Sequence, residues 1–392
     1  MSSDWDKALE IWKKLKGERE SFTGDLEPTL AVHLSILYKD KGKWNKAIEC
    51  LDDSLKTLDR KRDERGMITI LNNRGFLYKD KPDLSKARND FQRGLEIAKK
   101  IKDKRGEAVS LKNLGLLYKE EGNWDEALEH FGNNLAILKK IGDDRGVARA
   151  YDDRGLLYKD RALKFKDTEA LQQAEEDFRR AEDDFQRALE ILEKIGDEDE
   201  KATALNSLGL LYKDRGLLYE NREDLQKAEN NFQRALGILE KIGDQRRMAD
   251  IFSSLGFLYT AEMQWHDADA HFQLALTILK EMREERGTAV ILHSLGLLYQ
   301  HKGEHQLAVD YFQQSLDIVE KFDDEMNAAT TMYELALLYD AMEKYDKAIE
   351  QLEKVLEISN RGGHPSSKIR NSGEKLELIK AKAMSSASAS DQ

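Results

Sequence analysis

The chain has one cysteine, Cys50, in 392 residues. A single thiol excludes an intramolecular disulfide and a cysteine-based metal site. There are three prolines, against 40% apolar and 35% charged residues. That balance suits long solvated helices better than sheets. No stretch approaches the ~20 apolar residues that span a bilayer. The first residues, MSSDWDKALEIWKK, have no apolar signal core. Positive charge is scarce: 63 Lys and Arg face 75 Asp and Glu, a net charge of -12. Such a chain lacks the net basic face that displaces counterions from duplex nucleic acid. The same deficit disfavours an anionic membrane surface. These absences lead us to expect a cytoplasmic protein with no nucleic-acid and no membrane partner.

What is present is a repeat. Leu111 to Ala150 reads LKNLGLLYKEEGNWDEALEHFGNNLAILKKIGDDRGVARA, and its pattern recurs. Its marker is a tyrosine: Tyr38, Tyr78, Tyr118, Tyr158, Tyr212, Tyr259, Tyr299 and Tyr339, with gaps of 40, 40, 40, 54, 47, 40 and 40 residues. A period of this size signals a solenoid, in which each unit buries its apolar face only against its neighbours. Each unit has two helical stretches. Helix A carries the tyrosine. Helix B carries an Ala, an aromatic four residues on and a Leu eight on, as in Ala127, Phe131 and Leu135, which places them on one face. Helix B closes at Gly142-Asp143, Gly196-Asp197 and Gly243-Asp244. There Gly supplies a left-handed C-terminal cap and Asp starts the next helix.

These signatures resemble the tetratricopeptide repeat. The family's helix A pattern stands as Leu114-Gly115 with Tyr118 and as Leu208-Gly209 with Tyr212. Its helix B pattern stands as Ala228, Phe232 and Ala235. The match runs from about residue 5 to 360. Two departures, the 40-residue unit in place of the usual 34 and the missing inter-repeat Pro, are similar to a longer-helix branch of peptide-binding adaptors and peptide-sensing regulators. The resemblance implies an all-α, right-handed superhelical solenoid of antiparallel helix pairs, with a ligand groove lined by the A helices.

The expected organisation is a half repeat over 1–25, eight hairpins over 26–360, a linker over 361–373, a capping helix over 374–384 and a disordered tail over 385–392. The half repeat matches a helix B with no helix A before it. Self-association through this uncovered half repeat is a candidate property. Gly75, Gly115, Gly155, Gly209, Gly256 and Gly296 sit mid-helix, where Gly costs about 1 kcal/mol relative to Ala. Close helix crossing explains them, with Ala87, Ala127, Ala228, Ala268, Ala308 and Ala348 as the expected facing residues. The gaps of 54 and 47 residues hold 14 and seven extra residues. Seven residues are almost two turns, so an insertion preserves the apolar stripe. We expect three lengthened helices, about 147–166, 169–195 and 199–221, forming a ridge. In the fifth hairpin, around Tyr212, all seven extra residues are expected in helix A.

In the groove that the resemblance implies, residues five before, two before and one after each tyrosine form a stripe. The candidate site is Asn73, Phe76 and Lys79; Asn113, Leu116 and Lys119; Asp153, Leu156 and Lys159; Ser207, Leu210 and Lys213. As a groove, the amides would hold a peptide backbone, the Leu/Phe row its apolar groups and the Lys row its acids. Alternatively, the apolar row packs against the next helix A, and each Lys is neutralised by the acid beside it (Asp80, Glu120, Asp160, Asp214). The family's carboxylate-clamp Asn, which follows the small residue, is replaced by Leu116, Leu156 and Leu210, so that mode is not expected. His301 and His305 have a metal-ligand spacing but no cysteine to join them. Nothing pairs a nucleophile with a base or forms a phosphate loop. No catalytic residue, metal or cofactor is expected. The expected function is a non-catalytic adaptor that binds a peptide or protein segment. The alternatives are a sensory or regulatory module acting on a separate effector, and a self-assembling scaffold.

Overall fold

The computed structural model describes residues 26–40, 42–165, 171–322, 324–360 and 371–390. The half repeat expected over 1–25 and most of the expected linker lie outside them. The described residues form helices and no strand. The helices are α1 (Leu26–Asp40), α2 (Trp44–Lys61), α3 (Glu64–Asp80), α4 (Leu84–Ile101), α5 (Lys104–Glu120), α6 (Trp124–Ile141), α7 (Asp144–Lys164) and α8 (Leu171–Ile195). Then come α9 (Glu198–Leu218), α10 (Arg222–Ile242), α11 (Gln245–Ala261), α12 (Trp265–Glu281), α13 (Glu285–His301), α14 (His305–Lys321), α15 (Glu325–Ala341), α16 (Tyr345–Asn360) and α17 (Ser372–Ser390). Odd-numbered helices up to α15 are A helices, and the even-numbered ones are B helices. The chain divides into two compact units, Met1–Leu211 and Tyr212–Gln392, within α9.

Local chemistry fixes the turns. Gly142, Gly196 and Gly243 take φ of 71°, 70° and 78°, the left-handed region where a side chain is strained. The Asp that follows caps the next helix: Asp143 accepts from the Gly146 amide at 2.9 Å, and Asp244 from the Arg247 amide at 3.0 Å. This satisfies an amide that has no partner within its own helix.

The mid-helix glycines Gly75, Gly115, Gly155, Gly256 and Gly296 do not meet the expected alanines. Each of these accepts the phenylalanine ring of helix B in its own hairpin. A Cβ built on Gly75 would lie 2.4 Å from Phe91, on Gly155 2.7 Å from Phe185, on Gly256 2.6 Å from Phe272 and on Gly296 2.5 Å from Phe312. The physical reason is volume: a ring can pack on helix A backbone only where no Cβ stands. Hairpin 1 has Ser35 and Leu51 at these positions, and hairpin 8 has Ala336 and Leu352, all buried. A larger residue on helix A thus goes with a smaller one on helix B.

A second pairing runs beside the first. The residue before the notch and the residue before the ring face each other as Arg and Asp in some hairpins. Arg74 donates to Asp90 at 2.7 and 2.6 Å, and Arg154 to Asp184 at 2.7 and 2.8 Å. Such two-point pairs fix direction as well as distance.

Hairpin 4 repeats this clasp seven residues farther out, where Arg161 donates twice to Asp177 at 2.7 Å. The insertion therefore adds a copy of the contact at the free end of the hairpin. α7 has 21 residues and α8 has 25, against 17 and 18 in α5 and α6. In hairpin 5 the seven extra residues do not all fall in helix A. Both α9 and α10 have 21 residues. Asn221 caps α10, accepting from the Glu223 amide at 3.0 Å, so the turn divides the insertion between the two arms. At that turn Leu225 fills the space beside Gly216, and Arg215 clasps Asp224 at 2.7 and 2.9 Å.

In the second unit α17 packs on α16. Leu376 and Ile379 are buried, and Lys375 and Lys382 reach Asp340 at 3.1 and 2.7 Å. The helix starts two residues before the expected 374 and runs six past 384. No Gly or Pro follows Met384 to stop it, and Ala and Ser continue a helix at small cost.

Candidate functional site

In the first unit the A helices α3, α5, α7 and the start of α9 lie side by side. Side-chain pairs join each to the next. Asn113 donates to Asn72 Oδ1 at 2.8 Å, and Asn72 donates to Ser110 at 3.1 Å. Lys112 pairs with Asp153 at 2.8 Å. Ser207 hydrogen-bonds the carboxyl of Asp152.

This places the candidate residues as follows. Asn113 and Ser207 are buried and spent on these cross-links, and Asp153 is held by Lys112. Only Asn73 stays outside the ladder; its amide donates to Thr69 O of its own helix at 2.8 Å. The polar row is therefore mostly a seam between hairpins.

The lysines are not neutralised chiefly by the acids beside them. Lys39 pairs with Asp80, Lys79 with Glu120, and Lys119 with Asp160 at 2.6 Å, each partner one repeat farther on. Adjacent A helices lie nearly in register, so the next repeat's acid is as close as the chain neighbour. Lys159 reaches Asp160 at 3.3 Å, and Lys213, in the second unit, reaches Asp214 at 3.5 Å.

Phe76, Leu116, Leu156 and Leu210 are half-buried. Phe76 sets its edge on Phe91 at 5.6 Å, and Leu116 packs in the cluster around Phe131. One turn toward the helix N-terminus lies a row missed by the sequence reading: Thr69, Val109 and Arg149, all exposed. Val109 is 48% exposed. These residues lie nine before the tyrosine, so a stripe that stopped at five before excluded them.

A pocket of about 200 Å³ opens at this row. Lys112 of α5, Arg149, Asp152 and Asp153 of α7, and Glu200 and Thr203 of α9 line it, beside Leu192. Arg149 pairs with Glu200 and holds that carboxyl below its ordinary range. Arg145 also reaches Asp197 at 2.8 Å and Glu200 at 3.4 Å. Asp152 differs. Burial, with Asp153 and Glu200 near, pushes its carboxyl up to about 7, although Ser207 and Lys112 pull the other way. Its Oδ1 is buried with no hydrogen-bond partner. The signal for these residues was the charge of Arg149 and Asp152, where hairpin 3 has Val109 and Lys112.

His301 ends α13 and His305 begins α14; His301 stacks on Trp265 at 6.5 Å. Among the described residues no three His, Cys, Asp or Glu side chains converge as metal ligands.

The family model for the tetratricopeptide repeat matches residues 106–165 and 287–361. The first spans α5 to α7 and the second α13 to α16. These two segments are tetratricopeptide repeats. No curated protein sequence matches it. Among solved structures, aspartyl phosphate phosphatase F from Bacillus subtilis is similar at TM-score 0.57 and 13% identity, over 93% of this chain and 92% of that one. The apo quorum sensor NprR from B. thuringiensis is similar at 0.53 and 15%, over 91% and 95%. A Rap protein complexed with competence and sporulation factor is similar at 0.52 and 14%, over 93% and 99%. At these identities the likeness is one of fold. Tetratricopeptide-repeat folds are generally non-enzymatic and serve as protein-interaction modules. Among the described residues no helix is long and apolar enough to cross a membrane.

Proposed function

We propose that this protein is a non-catalytic adaptor that binds a peptide or protein segment along the A-helix face of the first unit. The observation that supports this most is the apolar row itself. Phe76, Leu116, Leu156 and Leu210 are only half-buried, and exposed Val109 stands beside them. Apolar side chains left open in line, next to a polar pocket, fit an elongated ligand with alternating needs. The seam residues Asn113, Asp153 and Ser207 keep the spacing of the face, and Asn73 is the amide placed to meet the ligand backbone. The solved Rap structure holds competence and sporulation factor, which gives a precedent for a factor bound on this fold. A sensory module acting on a separate effector would use the same face.

The test is site-specific photocrosslinking with an unnatural residue at Val109 and, separately, at Leu171, an exposed residue at the start of α8. The adduct is identified by mass spectrometry. One defined partner at Val109, lost in Leu116→Glu and kept in Arg93→Glu on a B helix, supports the groove. Adducts confined to Leu171 move the site to the hairpin end and sink the proposal. Concentration-dependent light scattering, with and without residues 1–20, addresses the scaffold reading.

A further inference from the structure

The pocket beside Asp152 has an unbalanced set of charges. Three carboxyls, those of Asp152, Asp153 and Glu200, meet two cations, Lys112 and Arg149. Each cation already has a partner: Lys112 pairs with Asp153 at 2.8 Å, and Arg149 with Glu200. Asp152 is left over, bonded only to the uncharged Ser207, and its Oδ1 is buried without a partner. A buried acceptor with nothing to accept is unfavourable, and a donor entering the pocket would relieve that cost. The space is also small. About 200 Å³ lies below the ~300–1,000 Å³ of pockets that enclose whole small-molecule ligands, and suits one side chain.

We propose that this pocket is the seat for one cationic group, a guanidinium or an ammonium, of the segment bound on the A-helix face; this rests on the reading of that face as a groove. The entering cation would donate to Asp152 Oδ1 and give the site three cations for three carboxyls. An anionic occupant would have to break the Lys112–Asp153 or Arg149–Glu200 pair and would then face Asp152. A neutral aliphatic group would leave Oδ1 without a donor.

Binding of a cation is coupled to a proton. The groups facing Asp152 are Arg149 and Asp153 on its own helix, Lys112 on α5, and Glu200 and Ser207 on α9; α8 contributes the apolar Leu192. The carboxyl sits at about 7 because it is buried near two other carboxylates. A cation binds the ionised form, so it must first displace the proton wherever pH lies below that value.

The experiment uses the full chain and three probes, the N-acetyl amides of arginine, norleucine and glutamate, followed by NMR. The arginine probe should shift the amides of Asp152 and Thr203 and lower the midpoint of the Asp152 carboxyl. It should bind about tenfold more tightly at pH 8 than at pH 6, the ratio of ionised Asp152 at those two pH values. Asp152→Asn, nearly isosteric, should bind it weakly and with no pH dependence. The wild-type carboxyl titration needs no variant, so a folding defect in Asp152→Asn leaves the test standing. The inference is overturned if norleucine or glutamate amide binds as tightly as arginine amide, or if saturating arginine amide leaves the Asp152 midpoint unmoved. Failure of the arginine probe with an intact Val109 crosslink rejects this pocket alone. Adducts confined to Leu171, with the arginine probe still bound, reject the groove alone.

Discussion

A missing Cβ is the smallest feature on which this fold depends. Gly75 leaves room for the edge of Phe91, and a methyl group there would sit 2.4 Å from the ring. Gly75→Ala should therefore destabilise by ~1–3 kcal/mol through overpacking, despite Ala's better helix propensity. Hairpin 8 solves the same position with Ala336 and Leu352. Gly75→Ala with Phe91→Leu should then recover most of the loss, and a double-mutant cycle in urea measures that coupling. Additive single costs would reject the pairing. The helical period identified which positions face inward, but not which atoms meet there; that is why alanine was expected opposite glycine. Asp152 makes a second residue-scale claim. Its carboxyl rises from 3.8 to about 7 on folding, so between these values the folded chain holds a proton that the unfolded chain has released. Stability from this group is full below about 4 and falls as pH rises toward 7. Asp152→Asn removes the effect. Its stability advantage over wild type should grow by about 3 kcal/mol from pH 5 to pH 8 in matched thermal melts. An advantage independent of pH would mean that the carboxyl is ionised throughout.

At the scale of a hairpin, the clasp and the notch set a register that repeats every seven residues. Arg154 with Asp184 and Arg161 with Asp177 are the same contact made twice. Lengthening by sevens was legible in the sequence, because Ala174 and Phe178 recur as Ala181 and Phe185. The division between the two arms in hairpin 5 was not, because it depends on where the chain turns, and Asn221 decides that by capping α10. The lysine row shows the same limit. Sequence places Lys79 next to Asp80, whereas register places it against Glu120 of the next hairpin. A deletion tests whether the extra length of hairpin 4 is separable from its fold. Removing 161–174 and substituting Glu176→Gly restores the nine-residue spacing of Tyr118 to Ala127 between Tyr158 and Ala181, since 23 less 14 is nine. Glycine then falls where Gly122 takes φ of 75°, and Asp177 falls at the capping position of Asn123. The shortened protein should fold, with helical circular dichroism reduced only in proportion to the residues removed. Loss of hydrogen-exchange protection across α5 to α8 would show instead that the clasp at Arg161 holds the hairpin together.

Over the whole chain, each hairpin is stabilised by its own halves and its immediate neighbours, so damage should stay local. The last described helix is the place to see it. Ile379 of α17 is fully buried, and the Lys375 and Lys382 pairs with Asp340 secure the helix at the edge of the contact. Ile379→Asp places a charge without a partner in that apolar contact, a change that costs several kcal/mol. α17 should detach. Exchange should then rise along α16 and α15, which lose their cover. In a single globular core the same substitution would lower protection everywhere by the same free energy, because all amides would open through one global transition. In a nearest-neighbour array the perturbation decays with distance along the chain, and α5 and α6 should exchange at wild-type rates. Hydrogen exchange with mass spectrometry on the two proteins separates these outcomes. Equal losses in α5 and α16 would contradict the repeat architecture on which the groove, the seam and the Asp152 pocket all rest.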